Sequence, residues 1–247
     1  MKHKITHAAL LGGLLLLAGT TAHAQGLEIG DMTMDDGLSQ KVLQIIATVT
    51  AITLVPATLM MVTCFPFMLT VLVVVRSGLG LQQSPPNILL ITIALFLTYF
   101  VMEPVFLEVW DTSVKPLNAG QISIESAYQL AQAPFRTFMT PRIDPDAFVQ
   151  LAETRGLEIN GLTPENAPFS LIVPTFILSE LTLAFQVGFL VYLPFLIIDL
   201  IVSAILMSMG MMMVPPSVVS LPFKLGFFVV SDGWSLLAGG LVTGYMG

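Results

Sequence analysis

LIVPTFILSELTLAFQVGFLVYLPFLIIDLIVSAILMSMGMMMVPPSVVSLPFKLGFFVV, residues 171–230, is apolar almost without interruption. Its only charged residues are Glu180, Asp199 and Lys224, and prolines stand at 174, 194, 215, 216 and 222. Each proline removes a backbone donor and crowds the preceding turn, so the pattern predicts two helices joined near Pro194. The rest of the chain agrees: of 247 residues 55% are hydrophobic and 10% charged, far outside the range of soluble domains. The sequence is that of an all-α membrane protein.

Upstream, no charge occurs from Val42 to Val75. A helix of that length would measure roughly 50 Å against a hydrocarbon core of about 30 Å, and Pro56 and Pro66 are expected to bend or break it. Arg76, Ser77, Gly78 and Gly80 close this stretch, and Pro85-Pro86-Asn87 introduces a second apolar segment, Ile88 to Met102, ending at Glu103-Pro104. Residues 42–107 therefore form a first hydrophobic helical pair, and residues 170–230 a second pair with a Met-rich loop.

Residues 108–169 hold most of the remaining charges, several Gly and Pro, and two helix-like stretches, Ile124 to Gln132 and Asp146 to Arg155. Asp144-Pro145-Asp146 is a helix start signal for the second. A module of this size buries little core by itself and is expected to pack on neighbouring copies or on the membrane segments. The tail, residues 231–247, carries Trp234 and Tyr245 among small residues, which suits an interfacial or intersubunit position.

The N-terminus has Lys2 and Lys4, an apolar run from Ala8 to Ala18, and Ala22-His23-Ala24 before Gln25. This is the layout of a signal peptide, residues 1–24, cleaved between Ala24 and Gln25. Cleavage removes every histidine and leaves seven basic against sixteen acidic residues, a formal charge of −9, with an acidic extracytoplasmic segment at residues 25–41. Nucleic-acid binding is disfavoured. The signal peptide also places the central module outside the cytoplasm, since loops of its length translocate largely regardless of positive charge.

Catalytic machinery is not expected. Without histidine, and with the single Cys64 in an apolar run, there is no triad, metal site or cofactor site to assemble, and no Walker-type phosphate loop occurs. Glu103, Glu108, Asp144 and Asp146 flank prolines at segment ends and read as solvated boundary charges. Glu180, Asp199 and Lys224 are more informative, because a lone ion in apolar surroundings costs several kcal/mol. Glu180 and Lys224 are expected to pair, within or between subunits, with Asp199 a further buried charge; the sharper alternative is a proton relay through Glu180 and Asp199.

Met207, Met209, Met211, Met212 and Met213 precede Pro215-Pro216. Consecutive methionines point around a whole helix rather than to one face, and the prolines end the helix just beyond them. A loop of unbranched thioethers there makes a deformable apolar seal. In the central module, Phe135 and Phe138 line a constriction or simply pack, and Arg136 between them pairs with an acidic neighbour.

At these residues the sequence resembles the FliP family of type III secretion export-gate subunits and its injectisome relatives. The resemblance runs through Ser84-Pro-Pro-Asn87, Ala94-Leu-Phe-Leu-Thr98, Pro134-Phe-Arg-Thr-Phe-Met139 and Ser179-Glu-Leu181. It continues through Leu193-Pro-Phe-Leu-Ile-Ile-Asp-Leu200, Met207 to Met213, Ser220-Leu-Pro-Phe-Lys224 and Asp232-Gly-Trp234. The signal peptide and the sizeable module favour the flagellar branch over the injectisome branch.

The resemblance implies a non-enzymatic homopentamer that joins FliQ and FliR in an export-gate pore of the inner membrane at the flagellar basal body. It would work with FlhA and FlhB, passing unfolded flagellar proteins, with Met211, Met212 and Met213 as a gasket. It also implies a helical pore complex standing partly above the membrane plane. From other classes, a proton-coupled secondary transporter would require inverted repeats, which the sequence lacks, and a purely structural membrane scaffold would conduct nothing.

Overall fold

The computed structural model describes residues 36–81, 84–211 and 213–246. The cleavage site at Ala24 and Gln25, most of the acidic N-terminal segment and Met212 lie outside these residues. The described part of the chain is helical: α1 Asp36–Met61, α2 Phe65–Gly78, α3 Asn87–Val109, α4 Lys115–Asn118, α5 Ile124–Met139, α6 Pro145–Thr154, α7 Phe169–Ser208, α8 Pro216–Val230 and α9 Gly233–Met246. Contacts divide it into two units, residues 1–52 and 53–247, and the described part of the first is the leading portion of α1.

Prolines behave differently from the sequence expectation. Pro56 lies inside α1, and the first apolar stretch breaks at residues 62–64, so that Pro66 falls in the first turn of α2, where its missing donor costs nothing. The expected joint at Pro194 does not exist. Pro174 and Pro194 both lie inside α7, a single helix of 40 residues. Apolar helices tolerate internal proline when neighbouring groups re-satisfy the freed carbonyls, and Phe195, 2% exposed, is locked into the core beside Pro194. Pro104 is likewise internal to α3, which continues through a π turn at Trp110–Val114 into α4, well past the expected stop at Glu103-Pro104.

Among the described residues two helices are long and apolar enough to cross a membrane, Asn87–Asn118 and Phe169–Ser208, or three if α8 and α9, bent by 61° at their junction, count as one. At about 1.5 Å per residue α7 extends for about 60 Å, twice a hydrocarbon core.

The main core gathers buried residues of α2, α3, α7, α8 and α9, among them Met68, Val71, Leu90, Met102, Ala184, Phe195 and Phe228, with Cys64 completely buried. Two glycines let α2 and α7 approach closely. A Cβ at Gly188 would meet the Val74 side chain at 3.0 Å, and one at Gly78 would meet Tyr192 at 2.9 Å. Gly188→Leu therefore overpacks this contact and is expected to cost about 1–3 kcal/mol. Thermal unfolding in detergent should show the loss, and adding Val74→Ala should recover part of it.

Of the module expected at residues 108–169, residues 108–118 continue the α3 helix, and residues 119–168 form a small helical section. Its two helices begin where local chemistry says they should: Ser123 Oγ accepts from the Ser126 amide, and Asp144 Oδ1 accepts from the amides of Asp146 and Ala147. Of the two expected supports, neighbouring copies or the membrane segments, the module uses the second within this chain. Met139, Ile143, Phe148, Ala152 and Ala167 pack on Leu171, Ile172 and Phe176, the first turns of α7.

Candidate functional site

α7 and α8 form a hairpin whose tip is the methionine segment. α7 ends at Ser208, Gly210 takes a left-handed φ of 74° that reverses the chain, and Pro215 and Pro216 start α8. Met207, Met209, Met211 and Met213 are 62%, 64%, 38% and 98% exposed, whereas Met68, Met102 and Met139 are fully buried. The thioethers at the tip are thus presented outward from a stiff two-helix stalk. Between the arms near the tip lies an apolar groove of about 340 Å³, lined by Ile198, Ile201, Val202, Ile205, Leu206, Val219 and Phe223.

Midway along the hairpin Lys224 and Asp199 tie the arms together. Lys224 Nζ donates to Asp199 Oδ2 at 2.5 Å and to the Gly78 carbonyl at 3.1 Å, and the Ser220 hydroxyl donates to Asp199 Oδ1 at 2.5 Å. The ion pair thereby also pins the end of α2. Asp199 is half-buried rather than buried, with 31% of its side chain exposed.

Glu180 does not meet Lys224 within the chain. The expected pair is replaced by Arg142–Glu180 and Lys224–Asp199, because Glu180 sits early in α7 against the module, about five helical turns before the level of Asp199 at which α8 brings Lys224. Arg142 Nε donates to Glu180 Oε1 at 2.5 Å, Tyr245 Oη donates to Oε2, and Glu180 is 0% exposed. Arg142 also donates to the Gly244 carbonyl at 3.1 Å, and its guanidinium carbon lies 3.6 Å from the centroid of the Tyr245 ring. The sequence does not single out Arg142, and it marks Tyr245 only as a tail residue suited to an interfacial or intersubunit position. They lie 38 and 65 positions from Glu180, and only the rule that a buried carboxylate needs a cation pointed towards one of the module's arginines.

Arg136 takes main-chain rather than acidic partners. Its guanidinium donates to the carbonyls of Pro164, Glu165 and Ala167 at 3.2, 3.0 and 2.7 Å and lies 5.0 Å from the Phe169 ring centroid. The residue fixes the loop that leads into α7. A hydrogen bond from the Thr163 hydroxyl holds the neighbouring Glu165 carboxyl below its ordinary range. Lysine cannot reproduce this planar fork, so Arg136→Lys is expected to destabilise the loop by about 1–3 kcal/mol, read as faster proteolysis at residues 157–167.

Phe135 and Phe138 pack. Phe135 lies edge-on to Phe106 with centroids 6.3 Å apart, and Phe138 stacks on Tyr245 at 6.0 Å and meets Phe176 edge-on at 5.9 Å. Trp234 is 43% exposed at the start of α9, while Tyr245 is half-buried with its hydroxyl on Glu180. Among the described residues no group of three or more His, Cys, Asp or Glu is placed to hold a metal, and no buried side-chain N or O lacks a hydrogen-bond partner.

Comparison with known proteins matches residues 48–241 to the FliP family, a span that contains both ion pairs and the methionine loop. The flagellar biosynthetic protein FliP of Caulobacter vibrioides is 40% identical over 241 residues, covering 96% of this chain and 88% of its own length. That of Pectobacterium carotovorum is 46% identical over 205 residues, 82% of this chain and 78% of its own. That of Bacillus subtilis is 40% identical over 205 residues, 82% and 91% respectively.

Proposed function

This chain belongs to the FliP family, and from that premise we propose that it is a core pore subunit of the flagellar type III protein-export gate. Five copies assemble with FliQ and FliR in the inner membrane, work with FlhA and FlhB, and pass unfolded flagellar proteins, with the central module on the periplasmic side. The observation that carries this reading is the hairpin tip, where outward-facing thioethers end a stalk of two apolar helices. Thioethers converging from several copies form a deformable apolar plug that water and ions cross poorly when the pore is idle.

The surface of α7 supports assembly. Leu178, Phe185, Phe189, Leu190, Ile197 and Leu200 are all exposed in the single chain, and α7 is too long for lipid alone to cover its apolar face. Proton coupling through Glu180 and Asp199 finds less support, since each carboxylate is engaged by a cation and a hydroxyl.

Native mass spectrometry of the detergent-purified protein, alone and co-expressed with FliQ and FliR, tests the proposal. A discrete pentamer that captures both partners is the expected result. A monomer or dimer that ignores them would overturn it.

A further inference from the structure

The hairpin that carries the methionine loop is closed at its base as well as at its middle. One arm is α7, the other is α8 continued by α9, and α9 ends against Glu180. Four contacts of Tyr245 meet there. Tyr245 donates its hydroxyl to Glu180 Oε2, its ring lies 3.6 Å beneath the Arg142 guanidinium, and its other neighbours are Phe138, stacked at 6.0 Å, and Phe67, edge-on at 5.3 Å. The adjacent Gly244 carbonyl accepts from Arg142 at 3.1 Å. Arg142 belongs to the module, Glu180 to the first arm and Tyr245 to the second, so one buried carboxylate joins all three.

We infer that Tyr245 is a positioning residue for the methionine loop, closing the base of the hairpin by holding α9 onto Glu180 and Arg142. Residues 180 to 209 follow one another along a helix, so the base is about 44 Å from the tip. The Asp199–Lys224 pair and the packing of Phe195 on Phe227 and Phe228 hold the arms together over their middle, and rods joined over a short span can still twist about it. A second junction at the base removes that freedom. The 61° bend between α8 and α9 carries the second arm off a straight line, and the Tyr245 contacts fix where its far end lies against α7 and α2. The functional part of this inference rests on the seal proposed above, whereas its mechanical part does not.

Hydrogen exchange read by mass spectrometry on the assembled, co-purified complex separates the two parts. Tyr245→Leu removes the hydroxyl and the stacked ring, and Tyr245→Phe removes only the hydroxyl, so the second variant serves if the first does not assemble. With either, exchange should quicken in residues 233–246 and also in residues 209–215, by roughly tenfold for the leucine variant and less for phenylalanine. Ion permeability per assembled complex should rise in the same order. Faster exchange confined to α9, with the loop unchanged, would overturn the inference and leave Tyr245 a local packing residue. Replacing Met211 to Met213 with Ala is the control for the seal: if that variant does not leak, the seal fails, and the loop's exchange still decides the role of Tyr245.

Discussion

Arg142→Met is expected to abolish stable folding of the module onto α7. The substitution leaves Glu180 with no cation, and removing one partner of a buried pair typically costs about 3–5 kcal/mol, a large fraction of a protein's net stability. The guanidinium also leaves the Gly244 carbonyl and the Tyr245 face without their partner, so the losses fall on three elements together. A fluorescence-detected thermal melt of detergent-solubilised protein should lose its cooperative transition, and the yield of assembled complex should fall to near background. The triple variant Arg142→Met, Glu180→Leu, Tyr245→Phe is expected to recover most of the stability, because an apolar replacement of a buried ion pair is often neutral or stabilising. If the triple variant melts no higher than the single one, the cost of Arg142→Met does not come from the orphaned carboxylate.

The second large effect concerns conductance instead of stability. Replacing Met211, Met212 and Met213 with Ala shortens three apolar side chains, of which Met211 is 38% exposed and Met213 98%. Little core packing is lost, so assembly should remain near the parental level. The proposed plug would be thinned in every copy at once, and permeability of the membrane to small ions should rise at least about tenfold, since thioether chains fill irregular gaps that a methyl group cannot. Proton and sodium flux into vesicles carrying the assembled complex measures it. Parental flux in fully assembled variant complexes would sink the seal.

How much of this was legible in the sequence depended on the range of the interaction. The helix starts at Ser123 and Asp144 are local, made with amides two or three residues on, and Asp144-Pro145-Asp146 announces one of them. The methionine tip was legible too, because Gly210 and Pro215-Pro216 break helices by their own covalent geometry. Pro194 misled for the converse reason. Its local preference is to break a helix, and the packing that overrules it comes from α2 and α8, around Phe195, far along the chain. The ion pairs show the same limit. Sequence identifies which charges need partners, but Glu180 had cations available at several positions and only the fold chooses Arg142 over Lys224.

The length of α7 bears on how the cell must handle this chain. A helix of 40 residues exposes bulky apolar groups over more height than a bilayer can shield, so a newly made copy that finds no companions keeps part of that surface in contact with water. Such an orphan presents the features that holding chaperones and membrane proteases recognise. Abundance of the chain should therefore follow the supply of its companions: made in excess it is degraded, and made in balance it persists. The same geometry that would suit the helix to the proposed pore wall is thus expected to make a solitary subunit short-lived, so that turnover as well as synthesis would set its stoichiometry.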